Sequence, residues 1–174
     1  MENKKDKNLL CGSACLQYMF AEQGYGNIDI PNMDWIIDMA LYCYLSSSLS
    51  IELRYHKSRL MDDYFLGQLD NDEVKERVEF LLQEIMIWEE EITESKLKNL
   101  IAENMWGILN VNSNLLFNDV SFAEHRHFVL IKKQNTSLIN VISPGSENFR
   151  KINVTISDLA DMIKGNGQWA MFLN

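Results

Sequence analysis

The spacing of hydrophobic residues changes along this chain, and that change constrains the fold more than any other feature of the sequence. Up to about residue 103, most apolar residues recur three or four positions apart, which is typical of amphipathic helices. From residue 106 onward, the apolar runs are short and bounded by turn residues, which favours β-strands. Helices followed by strands predict an α+β fold, with N-terminal helices packed on a C-terminal antiparallel sheet.

The individual patterns give approximate limits for these elements. Helices are predicted over residues 11–23, 35–45 and 70–90, from 93–95 onward, and over 155–164; strands are predicted over 50–55, 106–111, 127–132, 137–142 and 168–173. Thr93 or Ser95, and Thr155, have side-chain oxygens suited to capping the start of a helix. Asn32 or Asp34 is the expected cap of the second helix.

Length and charge limit the classes of function. A chain of 174 residues is long enough for one domain, spanning residues 1–174, with a core of its own. Its 25 acidic and 16 basic residues give a formal charge of −9, which disfavours binding to nucleic acids and to anionic membranes. No apolar run approaches the ~18 residues of a membrane span.

The start of the sequence and the number of cysteines indicate the cellular compartment of the protein. Residues 1–8 are charged and no apolar segment follows them, unlike a secretory signal. Three cysteines are an odd number for a disulfide framework. We therefore expect a cytoplasmic protein with thiols available for chemistry or packing, and no cofactor is indicated.

Cys11 is the first candidate for chemistry because it opens a predicted helix, in the segment Cys11-Gly12-Ser13-Ala14-Cys15. The amide N–H groups and the dipole at a helix start stabilise a thiolate, which lowers the thiol pKa and makes the sulfur nucleophilic. Gly12 and Ser13 are small enough to let a substrate carbonyl approach, and the Cys11 N–H could stabilise an oxyanion. The alternative is that Cys11 is a small buried hydrophobic residue.

A histidine is needed as the general base, and the sequence contains three. His127 opens the apolar strand His127-Phe-Val-Leu-Ile, where it can present an imidazole to a thiol across a cleft. His125 lies two residues earlier, while His56 stands among basic residues and is interpreted as a surface residue. The alternative for His127 is a hydrogen-bonded residue at the end of a strand.

Cysteine and histidine are also the usual ligands of zinc, so the same residues could form a zinc site. Cys11 and Cys15 share a helix face, and His125 and His127 share a strand face. Because two cysteines four residues apart within a helix are an unusual zinc spacing, no metal is predicted.

A polar residue on the next strand could orient the far nitrogen of His127. The segment Asn140-Val-Ile-Ser143-Pro144-Gly ends that strand, and adjacent antiparallel strands bring their facing ends together. The alternative is a plain turn, since Ser-Pro-Gly favours turns.

The motifs resemble those of the papain-like fold, as found in the bacteriocin-leader-processing (double-glycine) peptidases. Cys11-Gly-Ser-Ala-Cys15-Leu near the start, followed late in the chain by His127-Phe-Val-Leu-Ile, is similar to that family's two motifs. Trp35-Ile-Ile-Asp38-Met-Ala is similar to a segment in the guanylyl-cyclase-like branch of the same fold. The likeness extends loosely over most of the chain.

The resemblance implies roles for single residues. It makes Cys11 the nucleophile, His127 the base and Cys15 a structural cysteine. The family's third catalytic member is an Asp or Asn before a proline. That position falls on Ser143 here, with Asn140 the nearest amide.

The family's oxyanion-hole glutamine falls on Lys5, which could itself act electrostatically, and Asn8 could serve as a substitute donor. This departure and the hydroxyl of Ser143 count against efficient peptide-bond hydrolysis and leave thiol-based acyl transfer open.

Residues and resemblance together predict a papain-like cysteine acyltransferase or peptidase. Cys11 would form a thioester and pass the acyl group to an amine, as in peptide or natural-product biosynthesis, or to water. The expected partner is a peptide or a thioester-bound acyl group, for example on a carrier protein. The alternative, favoured by Ser143 and Lys5, is a catalytically impaired papain-like binding module. A nucleotide cyclase has no support, because the sequence shows no glycine-rich phosphate loop.

Overall fold

The computed structural model describes residues 10–26, 28–33, 35–55, 72–118, 126–134, 137–145, 148–164 and 169–174, which form six helices and seven strands. The helices are α1 (Cys11–Glu22), α2 (Ile36–Ser46), α3 (Asp72–Leu82), α4 (Glu94–Glu103), α5 (Ser113–Phe117) and α6 (Ile156–Lys164). The strands are β1 (Ile51–Tyr55), β2 (Met86–Glu89), β3 (Trp106–Asn112), β4 (Arg126–Lys132), β5 (Leu138–Pro144), β6 (Phe149–Thr155) and β7 (Ala170–Leu173). The α+β class predicted from the sequence is confirmed.

One sheet contains all seven strands, in the order β2-β1-β7-β3-β4-β5-β6. Every neighbouring pair is antiparallel except β1 and β2, which pair in parallel. The prediction of a wholly antiparallel sheet is therefore wrong at this edge. Parallel neighbours need a crossover connection, and α3 lies between β1 and β2 along the chain.

The β2 strand also corrects the helix predicted over residues 70–90. The helix ends at Leu82, and a turn at residues 83–84 brings Ile85 into the core. The next residues pair with β1, so that Met86 is half-exposed instead of continuing the apolar stripe of the helix. Pairing with β1 thus overrides a helical pattern that fits the sequence locally.

Helices cover both faces of the sheet. On the first face, α1 and α2 pack over β1, β3, β4, β5 and β7. On the second face, α6 packs over β3 and β6 and contacts α4 and α5. Each face has its own apolar core. The first includes Leu16, Met19, Phe20, Ile37, Ala40, Ile108, Phe128 and Leu130, and the second includes Leu97, Ile101, Leu109, Val129, Ile131, Leu159 and Ile163.

Two of the predicted helix caps are confirmed. Thr93 Oγ1 accepts a hydrogen bond from Lys96 N at 3.3 Å, and Thr155 Oγ1 accepts one from Asp158 N at 3.1 Å. The prediction for α2 is wrong for Asn32, because Trp35 precedes the helix and provides no side-chain cap. Asp34 lies outside the described residues.

Besides β2, two elements were not predicted from the sequence. The β6 strand forms one edge of the sheet, and its exposed residues dominate its pattern. The short α5 follows β3 directly within a segment that reads as a polar loop. In the described ranges, no helix is long and apolar enough to cross a membrane.

Gly107 provides a test of packing in the second-face core. A Cβ at this position would lie 2.9 Å from Ile131 Cγ1 and 3.0 Å from Phe172 Cε1. Because both neighbours belong to a close-packed core, we expect Gly107→Ala to lower the free energy of unfolding by about 1–3 kcal/mol. Urea denaturation measures the change. Arg150→Ala, which alters an exposed residue on the edge strand, is the control. Equal midpoints for Gly107→Ala and wild type would contradict the packing.

Candidate active site

Cys11 is the first residue of α1, and its sulfur lies against the start of β4. The sulfur accepts a hydrogen bond from Phe128 N at 3.4 Å, and the side chain is partly buried. The first amide groups of a helix point toward its N-terminal end, where the helix dipole is positive. The sulfur thus lies where a negative charge is stabilised both by the helix start and by a strand amide.

Side-chain hydrogen bonds fix the start of α1. Leu10 N donates to Asn32 Oδ1 at 3.1 Å, so the residue expected to cap α2 instead anchors the residue before Cys11. The buried Ser13 donates from Oγ to Pro31 O at 2.8 Å and accepts from Met33 N at 2.8 Å. Ser13 is therefore a structural anchor rather than a residue that opens space for a substrate.

Gly12 is also used in packing. A Cβ at Gly12 would lie 2.6 Å from Met39 Sδ and 3.3 Å from Phe128 Cδ2. Because these atoms belong to the first-face core, the small size of Gly12 lets α1 approach α2 and β4 closely. This packing gives Gly12 a structural role beside the predicted one at a substrate carbonyl.

Cys15, one helical turn after Cys11, also hydrogen-bonds to the backbone of Phe128. Its sulfur donates to Phe128 O at 3.6 Å and is fully buried. Burial, together with the nearby Cys11, raises the pKa of the Cys15 thiol well above its usual value, so this thiol stays protonated and acts as a donor. The two cysteines of α1 therefore satisfy both the N–H and the C=O of Phe128.

The sheet leaves the backbone groups of Phe128 available for these sulfurs. Asn110 N donates to Trp169 O at 2.9 Å, so Asn110 directs its backbone groups toward β7. Phe128 is paired with Asn110 and consequently directs its N–H and C=O toward β5. Continuing the β4–β5 register places Pro144 opposite Phe128, and proline has no N–H to donate.

His127 precedes Phe128 and is hydrogen-bonded to the strand beside it. Its Nε2 lies 2.9 Å from Ser143 Oγ, and its ring centroid lies 5.7 Å from that of Phe117. Ser143 is 1% exposed, so this contact is sheltered from water. Burial lowers the pKa of His127, which favours the neutral imidazole at neutral pH.

The sulfur and the imidazole reach the start of β4 from its two sides. Side chains alternate along a strand: Phe128 and Leu130 belong to the first-face core, and Val129 and Ile131 to the second-face core. The His127 ring accordingly lies on the side of Phe117 and Ser143, and Cys11 approaches from the first face. One peptide bond separates the residue holding the imidazole from the amide that contacts the sulfur.

Asn140 does not join this group. Its Nδ2 donates to Asn153 Oδ1 on β6 at 3.0 Å, and its backbone N donates to Gln134 Oε1 at 3.0 Å. It is three residues from Ser143 along β5, about 10 Å at the rise of a strand. Of the two residues that could have oriented the imidazole, the structure brings Ser143 to it.

The remaining residues considered from sequence fall outside the described ranges. These are Lys5, Asn8, His56 and His125. In the ranges that the structure describes, no group of three or more His, Cys, Asp or Glu residues is placed to hold a metal ion.

Sequence reasoning missed Asn110, which lies beside Phe128 in the sheet. Its side chain is fully buried, and neither Nδ2 nor Oδ1 has a hydrogen-bond partner within the part of the chain that the structure describes. Leaving a buried polar group unpaired costs about 1–3 kcal/mol. The available signal was a polar residue inside the apolar run Ile108-Leu109-Asn110-Val111.

Comparisons with models of protein families, with curated proteins and with solved structures find no match for this chain.

The three cysteines should differ in reactivity. Cys15 and Cys43 are fully buried, and burial raises the pKa of Cys43 to about 12, whereas Cys11 is partly exposed. We expect iodoacetamide to alkylate the native protein at Cys11 and to reach all three thiols only after denaturation. Peptide mapping by mass spectrometry identifies the sites, with Cys11→Ser as the control. Alkylation of native Cys43 as fast as Cys11 would contradict this arrangement.

Burial of His127 should make stability depend on pH. Above about pH 6.5, His127 is neutral in both the unfolded and the folded state. It therefore does not make the free energy of unfolding depend on pH in that range. As pH falls below that value, the unfolded state binds a proton that the folded state binds only at lower pH, because burial lowers the folded pKa. The free energy of unfolding should therefore fall with acidification less steeply in His127→Gln than in wild type. Urea titrations between about pH 7.5 and 5 measure both slopes, and parallel slopes would refute the burial of a neutral imidazole.

Proposed function

We propose that this protein is a cysteine-dependent acyl-transfer enzyme that forms a thioester at Cys11 and passes the acyl group to an amine or to water. One observation carries the proposal. The Cys11 sulfur contacts the amide of Phe128 at 3.4 Å, while the imidazole of the preceding His127 is 2.9 Å from a buried hydroxyl. A thiol at a helix start and an imidazole on the adjoining strand are the two groups that nucleophilic catalysis by cysteine uses.

The proposed reaction has two halves. In the first, His127 accepts the proton of the Cys11 thiol, and the sulfur attacks the acyl carbon, placing the electron pair of the carbonyl on its oxygen. The tetrahedral intermediate then collapses to a thioester, and the leaving group departs with the proton held by the imidazolium. In the second half, an amine or water attacks the thioester. His127 takes its proton and returns it to the sulfur.

The Ser143 hydroxyl can accept a hydrogen bond from the tautomer that this role needs. If Nε2 carries the proton and donates to Ser143 Oγ, then Nδ1 keeps the lone pair that accepts a proton from sulfur. Catalytic hydrogen bonds are often long before substrate binds, so the proposal requires Nδ1 to reach the sulfur when substrate is bound. A hydroxyl stabilises the imidazolium less than a carboxylate would, which favours activated acyl groups such as thioesters over peptide bonds.

The substrate class follows from the same chemistry. A thiolate can leave the tetrahedral intermediate without being protonated, whereas the amine of a peptide bond must receive a proton from the imidazolium. A thioester-bound acyl group, for example one on a carrier protein, therefore demands less of His127 than a peptide bond does. We therefore favour transfer from such a donor to an amine, with hydrolysis of a peptide or amide as the variant in which water is the acceptor.

A papain-like binding module without catalysis is the second candidate, and two observations favour it. Ser143 provides a hydroxyl where the papain-like family has a carboxylate or an amide. Burial lowers the pKa of His127, which makes it a weaker base. Iodoacetamide alkylation measured against pH separates the candidates. A Cys11 thiol with a pKa well below the reference of about 8.5 supports catalysis, and one at or above that value supports the module.

The acyl-transfer proposal is tested by trapping the intermediate. We expect p-nitrophenyl acetate and a simple thioester donor to acetylate Cys11, as measured by intact-protein mass spectrometry and peptide mapping. His127→Gln should slow the appearance of the adduct by about 100-fold or more at neutral pH, since it removes the general base. Ser143→Ala should slow it by about 3- to 10-fold, through loss of one hydrogen bond.

Matched controls keep this test specific. Cys11→Ser removes the nucleophile, and Asn140→Ala changes a nearby amide that does not contact His127. Circular dichroism and urea denaturation establish that each variant is folded. If folded His127→Gln acylates as fast as wild type, Cys11 is merely an accessible thiol and the enzymatic assignment is withdrawn.

A further inference from the structure

A recess lies near the end of α1 that is far from Cys11. It has a volume of about 270 Å³ and lies where α1 passes over the outer strands β4, β5 and β6. Tyr18 and Glu22 line it from the helix, and Trp106 and Ile142 line it from the sheet. Tyr18 and Glu22 are seven and eleven residues beyond Cys11, about 10 and 16 Å along the helix axis.

The recess is basic on a chain that is otherwise strongly acidic. Lys132, Lys133 and Lys151 line it, and Glu22 is the acidic residue in its wall. Three positive charges and one negative charge leave a local charge of +2, against −9 for the whole chain. Lys132 Nζ is 3.6 Å from Glu22 Oε2, so the carboxylate compensates only one of the three lysines.

Part of the wall is held in place by fixed contacts. The Gln134 side chain exchanges two hydrogen bonds with the backbone of Asn140, at 3.0 and 3.3 Å. Lys132 Nζ lies 5.1 Å from the ring centroid of Trp106, which positions its ammonium group over the indole. The Lys132 contact places a cation and an aromatic surface side by side.

Trp106, which lines the recess, also carries a donor without an acceptor in the part of the chain that the structure describes. The residue is 2% exposed, and its indole Nε1 has no hydrogen-bond partner among the residues described. Buried indole N–H groups usually find an acceptor. Lysine and indole are donors without acceptor atoms, so the wall is suited to a ligand group rich in acceptors.

We propose that this recess binds the phosphate group of a small phosphorylated molecule. A phosphate monoester carries a charge of about −1.5 to −2 at neutral pH, which matches the local +2, and it has three acceptor oxygens. Lysine binds phosphate as a compact positive charge, and Tyr18 and Trp106 provide aromatic surface for the organic part of the molecule. The proposal does not depend on the chemistry of Cys11.

The test compares two ligands that share a ring and differ in the anion. We expect phenyl phosphate to bind saturably, at least 10-fold more tightly than benzoate, by isothermal titration calorimetry at low salt. Binding should weaken as salt is added, because screening reduces attraction between exposed charges. The Trp106 indole resonance, assigned with Trp106→Phe, should shift in the ¹H–¹⁵N spectrum on titration.

Variants locate the site. Lys132→Gln/Lys151→Gln should weaken phenyl phosphate binding at least 10-fold while leaving Tm unchanged, because these side chains are largely exposed. Lys98→Gln, which changes an exposed lysine on α4 over the second face, should bind as wild type does. Equal binding of benzoate, unchanged binding in the double variant, or no saturable binding would each overturn the proposal. Acylation of Cys11 can fail without affecting any of these readouts.

Discussion

The contact between α1 and Phe128 is the interaction on which the site depends. A helix lies along a strand, and two sulfurs one helical turn apart hydrogen-bond to the N–H and the C=O of a single strand residue. The β4–β5 pairing includes Leu130 and Ile131 but not Phe128, and Pro144, which the register would place opposite Phe128, has no N–H to offer its C=O. The gap in the sheet's hydrogen bonding is therefore filled by side chains, and one of these is the candidate nucleophile.

The same contact explains why the two cysteines differ in chemistry. Cys15 is sealed under the helix and keeps its proton, so it acts as a hydrogen-bond donor in the core. Cys11 sits at the open end, with its sulfur accepting from a strand amide. A spacing of four residues places both on one helix face, but only the helix end leaves a sulfur partly accessible.

Periodicity predicted most of the elements and failed where pairing between distant segments decides the outcome. The α1 helix and strands β3, β4 and β7 lie within a few residues of the predicted limits, because their apolar spacing matches the buried face. β2 was hidden in a helical pattern, since pairing with β1 depends on tertiary position rather than on local sequence. Helices on both faces could not be inferred either, because order along the chain does not fix which face a helix covers.

The candidate site was predictable to the level of residue types. Motif order singles out Cys11 and His127 and leaves Ser143 and Asn140 as alternatives on the next strand; in the structure Ser143 lies by the ring and Asn140 bonds to Asn153. The packing roles of Gly12 and Ser13 were not predictable, since a small residue at a helix start fits a cleft as well as a tight contact. Asn110 was missed because nothing in a strand pattern shows that a polar residue lacks partners.

The place of β7 in the sheet bears on the order of assembly during synthesis. It is the last strand along the chain, yet it lies between β1 and β3 and joins two otherwise separate strand groups. Until β7 emerges from the ribosome, β1 and β2 have no strand linking them to β3–β6, and contacts between such distant segments form slowly. Until β7 pairs, the facing edges of β1 and β3 have no strand neighbour between them, and unpaired strand edges favour association with other chains.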